Sequence, residues 1–395
     1  MRVGVAELPL HNGHVPRWLV EYMKKLARAM LSVMVELHGP NKVVEMFADP
    51  VWFQAFNNAI GMDWDSSGST TVTTGIVKQV LSEDPDMGLL VAGGKGSRAR
   101  EAAREIESNA DRYGISESLK REAVYASRLA AKTDSVLLQD GYTLYHHAVF
   151  VSGEGAWAIV QQGMNVSTRF ARRYHWLAPL DRSHPTLEPH AAISSNSRER
   201  FVVDLTSRVS LDARKLIVDL AKEPPKKAVR LVMEAYRALR GDTTIELWLR
   251  PNQASSTSSE RFRQELLRYY RPQERPPRHI ERVLRTIYDA APKTLEELVL
   301  VEGVGPAVVR SLALVAELIY EAPVNHDDPA KWPLDPFRYA YVVGGKDGVP
   351  FPFRRDYAEK VIEFLENVLA EARIDDKHKR RALERLHRLA SLLKS

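Results

Sequence analysis

The sequence predicts an α+β or α/β N-terminal domain with a small mixed or antiparallel sheet, followed by an all-helical C-terminal domain. Three observations support this fold class. Short apolar runs bounded by glycine turns, which are typical of strands, are concentrated between residues 87 and 162. Apolar residues recur at helical spacing before this region and through most of the chain beyond residue 206. A Gly-Val-Gly-Pro turn separates two of the later helices.

Length and composition indicate a globular protein of about two domains, since 395 residues are 27% charged and 44% hydrophobic. We predict an α/β domain over 1–205 that carries any chemistry, a helical connector with a Ser/Thr-rich segment over 206–260, and a helical DNA-binding domain over 261–395. The chain has no cysteine, which excludes disulfides and cysteine-ligated metals and is compatible with a thermophilic, archaeal source. No 18-residue apolar run or signal peptide is present, so we expect a cytoplasmic location and no membrane partner.

Positive charge is concentrated in the second half of the chain. Residues 1–205 contain 22 Lys and Arg against 23 Asp and Glu, whereas residues 206–395 contain 34 against 28. A positive half favours electrostatic attraction to nucleic acid, although a solvated basic helix face gives the same count.

The first part of the chain reads as a strand over 2–11 and helices over 18–37 and 42–60. A polar run follows, with Asp63 and a series of Ser, Gly and Thr residues over 66–71, before a helix over 74–81. The hydroxyl groups of this run either cap the next helix or form a loop that holds a phosphate or a hydrated metal.

A glycine-rich turn with a lysine follows the first central strand. The pattern predicts a strand over 87–92, the turn Gly93–Arg98 and a helix over 99–107, which is a layout that binds anions. The turn does not match GxxxxGK[ST], so it is not an ATP-binding loop. We expect Lys95 to neutralise a phosphate, unless it is an ordinary loop lysine.

After a helix over 118–132, strands are predicted over 135–141, 142–151 and 156–162. This small sheet and the residues just beyond it contain the densest group of polar side chains in the protein: Asp134, Asp140, His146, His147, Gln161, Gln162, Arg172, Arg173 and His175. Successive strand residues point to opposite faces, so at most one of His146 and His147 faces a given site.

Two interpretations of this group stay open. In the first, Asp140 and His146 or His147 bind a divalent metal, magnesium or manganese, with Asp63 or Asp134 as a further carboxylate. Lys95, Arg172 and Arg173 then position the phosphate, and Gln162 completes the catalytic candidates. In the second, the polar side chains satisfy one another and have no catalytic role.

Several segments carry a family resemblance, among them VAGGKGSR, KTDSVLLQDGYTLYHHAVF, WAIVQQGMN, ARRYHWL and GGKDGVPFPF. With them, the sequence resembles the uncharacterised domain-of-unknown-function 763 family of archaea and bacteria over nearly its whole length. The resemblance implies no mechanism. One residue departs from the family pattern, since Asp65 stands where a histidine usually follows Asp-Trp, and this would change a metal ligand from imidazole to oxygen.

The later helices are predicted over 211–239, with an interruption at Pro224-Pro225, over 261–270 and over 278–290, with two more over 356–372 and 377–393. Between the helices predicted over 278–290 and 356–372, the pattern of residues 294–322 predicts two helices joined by a tight turn. Gly303 and Gly305 allow left-handed backbone or close approach, and Pro306 suits a first helical position.

This turn resembles a helix-hairpin-helix motif, which implies contact with the DNA backbone without base readout. The predicted DNA contacts are Gly303, Val304, Gly305 and Arg310. The alternatives are an ordinary pair of antiparallel helices, or a turn that binds a protein partner of DNA repair.

The function predicted from these features is a DNA-binding protein of repair or recombination type that is a metal-dependent nuclease. A non-enzymatic DNA-binding or scaffold protein is the main alternative. A DNA glycosylase is a minor one, because Asp327 and Asp328 follow the hairpin at roughly the place where such enzymes carry an aspartate. The sequence does not decide between DNA and RNA, and it leaves the oligomeric state open.

Overall fold

The computed structural model describes residues 15–62, 67–195, 198–241, 264–270 and 274–330, together with Phe353, Arg355, Ala358, Glu359 and Ile362. Several predicted features lie outside these residues: the strand over 2–11, Asp63 and Asp65, the Ser/Thr-rich segment, and the helix over 377–393.

Three helices, α1 (Arg17–Ala48), α2 (Pro50–Ala59) and α3 (Ser67–Glu83), form the N-terminal part. α1 bends at Gly39, which has a φ of 77° and precedes Pro40. The carboxylate of Asp49 caps α2 by accepting the Val51 amide at 2.7 Å. The hydroxyl run from Ser67 onward forms the first turns of α3 and not a loop, and Thr74 Oγ1 donates back to the Thr70 carbonyl at 2.7 Å.

The strands, in chain order, are β1 (Leu89–Lys95), β2 (Leu138–Gln139), β3 (Thr143–Ser152), β4 (Trp157–Asn165), β5 (Phe170–Leu177), β6 (His190–Ser194) and β7 (Val203–Asp204). Five of them form one sheet in the order β1-β3-β4-β5-β6, and every neighbouring pair is antiparallel. β2 pairs separately with β7. The antiparallel alternative of the predicted sheet is therefore the observed one.

The glycines predicted to form a turn after the first strand belong to β1 itself. Gly93 pairs with Ala148 and Gly94 with His147. A Cβ atom at Gly93 would lie 2.2 Å from the His147 carbonyl oxygen, so glycine is needed for the close approach of two strands. The prediction of a turn over Gly93–Arg98 was therefore wrong for residues 93–95, whereas residues 96–98 lie in a 3-10 segment, Gly96–Glu101, that precedes α4 (Ala102–Asn109).

Helices cover both faces of the sheet. Helices α1, α2 and α3 pack on the face that contains Ala148, Phe150 and Val160, which we call the α3 face. Helices α4 and α5 (Glu117–Lys132) pack on the opposite face, with Val149 and Trp176, which we call the α5 face. This arrangement confirms the α+β layout.

The helical half consists of α6 (Leu211–Ala221), α7 (Pro225–Arg240), α8 (Ile280–Ala290), α9 (Leu295–Leu300) and α10 (Pro306–Tyr320). The break between α6 and α7 confirms the interruption predicted at Pro224-Pro225. The apolar core of these helices also contains Leu129, Val136, Leu137, Val203 and Leu205. It therefore crosses the boundary predicted at residue 205. No helix within the described ranges is long and apolar enough to span a membrane.

Candidate functional site

Four of the predicted catalytic residues lie in one row on the α3 face. In the strand register, Lys95 pairs with His146, His146 with Gln162, and Gln162 with Arg173. Directly paired residues of antiparallel strands point to the same face. The row thus combines an ammonium, an imidazole, an amide and a guanidinium, with no carboxylate among its own members, and this composition favours an anionic ligand.

The first turns of α3 lie on the buried part of this row. Arg173 Nε donates to Thr70 Oγ1 at 2.8 Å, and the Thr70 hydroxyl donates to the Gln162 side-chain oxygen. Gln162 Nε2 donates to the Ser67 carbonyl at 2.8 Å and to the Tyr145 hydroxyl oxygen. Arg173 also stacks its guanidinium 4.4 Å from the Phe53 ring. The contacts fix Gln162 and Arg173 in single orientations.

His146 is held neutral inside this layer. It is 1% exposed, its Nε2 lies 3.0 Å from Thr74 Oγ1, and its Nδ1 has no hydrogen-bond partner among the described residues. Burial lowers the pKa of His146 to about 3, and the positive charges of Arg173 and Lys95 act in the same direction. An uncharged imidazole with one nitrogen available can act as a proton acceptor.

Lys95 is the exposed end of the row. Its side chain is in solvent beside the Tyr145 ring, with Nζ 5.9 Å from the ring centroid. A ligand arriving from solvent would meet Lys95 before the buried members of the row.

The α5 face carries a separate chain of buried hydrogen bonds. Gln161 Nε2 donates to Asp134 at 2.5 Å, so its oxygen is the acceptor for His147 Nδ1 at 2.8 Å. The remaining nitrogen of His147 must then accept the Ser127 hydroxyl at 2.8 Å. Trp176 Nε1 donates to the same Asp134 oxygen at 2.9 Å, and His190 Nε2 contacts the other oxygen at 2.6 Å. His147 and Asp134 are therefore separated by the sheet from His146.

Asp140 belongs to a third group, centred on Arg172. The Arg172 guanidinium donates to Asp140 at 2.8 Å and to both oxygens of Asp328, at 3.0 and 2.7 Å. The Tyr174 hydroxyl donates to Asp140 at 2.7 Å. Burial raises the pKa of Asp140, against the lowering effect of Arg172. Asp328, the residue behind the glycosylase alternative, is 4% exposed and used in this ion pair.

The predicted metal ligands do not converge. Asp140 lies in the Arg172 group, Asp134 is surrounded by Gln161, Trp176 and His190, and His146 lies across the sheet from both. Within the described ranges, no three His, Asp or Glu side chains are arranged to hold a metal ion. A magnesium or manganese site that includes Asp63 stays a prediction, because Asp63 lies outside those ranges.

The turn between α9 and α10 presents backbone amides to solvent. Gly303 has a φ of 83° and is exposed, Val304 is buried, and Gly305 is extended and precedes Pro306 at the first position of α10. The amides of Gly303 and Gly305 donate no hydrogen bond within the part of the chain that the structure describes. Two amides without an acceptor among the described residues therefore lie beside a helix N-terminus, on a turn where Gly303 is exposed and Gly305 half-buried.

Two residues of the N-terminal part hold this turn. Lys132 Nζ donates to the Val304 carbonyl at 2.7 Å, and Gln139 Nε2 donates to the Pro306 carbonyl at 3.0 Å. Arg310 does not reach the turn's outer side, since its guanidinium bonds Glu274 at 3.0 Å and the Tyr269 carbonyl. Its predicted DNA contact stays untested.

Lys132 and Thr74 were not among the predicted site residues, and Thr70 was predicted only as a member of the hydroxyl run over 66–71. The two threonines had a readable signal, because Ser67, Thr70 and Thr74 recur at helical spacing and so share one face of α3. Lys132 had none, since its partner is 172 residues away in the chain.

Comparison with known proteins gives a family and no function. A family model described as "Protein of unknown function (DUF763)" matches residues 4–353. No curated protein and no solved structure matches the chain.

Proposed function

The chain belongs to the DUF763 family of proteins of unknown function, and from its own residues we propose that it binds the DNA backbone through the turn at Gly303–Pro306 without reading base sequence. In this proposal the turn is a helix-hairpin-helix contact, and the protein is of repair or recombination type.

The observation that carries the proposal is the pair of unpaired amides on the exposed turn. The Gly303 and Gly305 N–H groups have no acceptor among the described residues, and they lie at the positive end of α10. Phosphate oxygens are suitable acceptors for such groups, and contacts of this kind carry no sequence information.

The fold requires glycine at position 303 but not at position 305. At Gly303 the φ of 83° and the Val283 side chain, 3.2 Å from an added Cβ, require glycine for the fold itself. At Gly305 an added Cβ would meet no atom within 4 Å, and the φ of −136° suits any residue. The fold therefore does not need glycine at 305, whereas a ligand approaching the amide does.

Gly305→Ala tests the proposal without disturbing the fold. Binding to a labelled duplex is measured by fluorescence anisotropy over a range of salt concentrations, with a second duplex of shuffled sequence. We expect the wild type to bind both duplexes equally, with affinity falling steeply as salt rises. We expect Gly305→Ala to bind about tenfold more weakly, since about one backbone contact is lost, while its melting temperature falls only by the small amount expected for alanine at the N-cap of α10.

Gly75→Ala is the matched control, because an added Cβ at Gly75 meets no atom within 4 Å, its φ is not positive, and it lies in α3 away from the turn. Equal affinity of Gly305→Ala and wild type, or a flat salt response, would contradict the proposal. If the affinity for DNA does not change with salt while the chain still binds a protein partner of DNA repair, a protein ligand at the turn would be favoured instead.

Phosphodiester hydrolysis is a second candidate, and the row on the α3 face is the observation that favours it. Lys95 and Arg173 would bind the phosphate, and the neutral His146 would accept a proton. Asp134, Asp140 and His146 lie in separate groups, so these three residues do not form one site for a divalent metal.

Cleavage of labelled branched, flapped and single-stranded DNA, with magnesium or manganese present, separates this candidate from a scaffold. A nuclease acting on the α3 face loses activity in Lys95→Gln and keeps it in Arg98→Gln, an exposed control in the same segment. A wild type that binds DNA and cleaves none of these substrates would favour the non-enzymatic alternative.

A further inference from the structure

The contact between Lys132 and the turn joins the two halves of the chain at the proposed binding site. Lys132 is the last residue of α5, and its Nζ lies 2.7 Å from the carbonyl oxygen of Val304. It forms no ion pair with any described residue, and burial lowers its pKa. Burying half of an ammonium group against a neutral carbonyl costs free energy, because no opposite charge compensates for the lost hydration.

The geometry of the peptide bond explains what the contact with Lys132 can achieve at the turn. The Val304–Gly305 peptide is trans, because Ala178–Pro179 is the cis bond found among the described residues. In a planar trans peptide the C=O and the following N–H point in opposite directions. A carbonyl held inward by Lys132 therefore directs the Gly305 amide outward.

A second, longer contact is made two peptide groups later. Gln139 Nε2 donates to the Pro306 carbonyl at 3.0 Å while also holding the Val136 carbonyl at 2.9 Å. Both contacts come from the segment that ends α5 and begins β2, so one short stretch of the N-terminal part holds the turn at two carbonyls, those of Val304 and Pro306.

We infer that Lys132 is a positioning residue for DNA binding: its ammonium fixes the Val304 carbonyl inward and so presents the Gly305 amide to a phosphate. This inference rests on the proposed function. It differs from the simpler idea that Lys132 touches the phosphate, because Lys132 acts through the peptide group and lies on the inner side of it.

The experiment compares Lys132→Met, which keeps an unbranched side chain without its donors, with Lys132→Arg, which restores a donor. DNA affinity and its salt dependence are measured for both. We expect Lys132→Met to bind about tenfold more weakly with an unchanged slope of log affinity against log salt. We expect Lys132→Arg to recover most of the affinity.

A second measurement needs no DNA. The chain has no cysteine, so spin labels can be placed on Arg121→Cys and Glu302→Cys, both exposed positions, on α5 and on the turn. Double electron–electron resonance then gives the distance between them. We expect one narrow distance distribution in the labelled parent and a broader one when Lys132→Met is added.

The outcomes separate the two proposals. A broader distribution in Lys132→Met together with a wild type that does not bind DNA would show that Lys132 fixes the turn, and would overturn both the proposed function and the role of that contact in DNA binding. If the distance distribution of Lys132→Met stays narrow and its slope of log affinity against log salt is reduced by about one, Lys132 contacts the phosphate directly. That result would overturn the positioning role. Unchanged distances and unchanged affinity overturn it as well.

Discussion

Arg172 and Asp328 form a buried two-point ion pair between positions 156 residues apart in the chain, with both carboxylate oxygens accepting from one guanidinium. Asp140 accepts from the same guanidinium. The pair therefore ties the segment after α10 to strand β5 and joins the end of the helical half to the sheet.

We predict that Arg172→Met destabilises the fold by about 3–5 kcal/mol, because two carboxylates would be left buried without their counter-charge. The free energy of unfolding is measured by urea denaturation. The control is Arg208→Met, since Arg208 and Glu188 form an exposed pair at 3.2 Å, where the expected change is about 0–1 kcal/mol. Similar losses in the two variants would contradict a structural role for the buried pair.

We predict that stability falls as the pH drops from about 6.5 toward 3. The pKa of His146 is about 3 in the folded chain against 6.5 for a free imidazole, so over this window the unfolded state binds the proton and the folded state does not. Burial also lowers the pKa of His147 and of His175, so both residues add to the loss of stability at low pH. The raised pKa of Asp140 acts oppositely, because its protonation favours the folded state.

The check on this prediction is the pH dependence of urea denaturation for His146→Gln. Its unfolding free energy should vary with pH less steeply than that of the wild type, by at most about 1.4 kcal/mol per pH unit for one proton. His38→Gln, at an exposed position of α1, should leave the slope as it is. A slope for His146→Gln equal to that of the wild type would argue against a buried neutral imidazole.

We predict that Gly93→Ala costs about 3 kcal/mol or more, since the added Cβ would lie 2.2 Å from the His147 carbonyl oxygen at a φ of 89°. Gly75→Ala in α3 should stabilise the protein by about 0.5–1 kcal/mol, because an added Cβ there meets nothing within 4 Å in a helix. In thermal melts we expect the melting temperature to fall for Gly93→Ala and to rise for Gly75→Ala. Changes of the same sign in the two variants would contradict the prediction.

We predict that Tyr270→Phe destabilises the helical half by about 1–3 kcal/mol. The Tyr270 hydroxyl donates to the buried Glu317 carboxylate at 2.7 Å, and without it one carboxylate oxygen would lose its donor. Tyr288→Phe, at a side chain that is 44% exposed, should change stability by about 0.5 kcal/mol or less. Calorimetry on both variants provides the comparison, and a null result for Tyr270→Phe would show that water replaces the hydroxyl.

Periodicity in the sequence was enough to predict much of this fold. The placement of His146 and His147 on opposite faces followed from the strand period of two and is confirmed by their separate partners, Thr74 and Ser127. The helices on either side of Gly303–Pro306 were predicted to within a few residues, since apolar spacing, glycine and proline are local signals.

Features that depend on distant contacts could not be predicted. Gly93 and Gly94 look like a turn locally, and only the pairing with β3 makes them strand residues. Asp140 and His146 are close in sequence, yet Arg172 draws the first to its own group and Thr74 contacts the second. The catalytic roles assigned to these residues stay predictions.

The apolar cluster that the helical half shares with Leu129, Val136 and Leu137 sets a practical limit on dissecting this protein. A fragment that starts at residue 206 would lack the partners of its own buried side chains as well as Lys132. Such a fragment should aggregate or stay poorly folded, and its failure to retain nucleic acid would reveal nothing about the intact chain. Binding assays therefore require the full-length polypeptide.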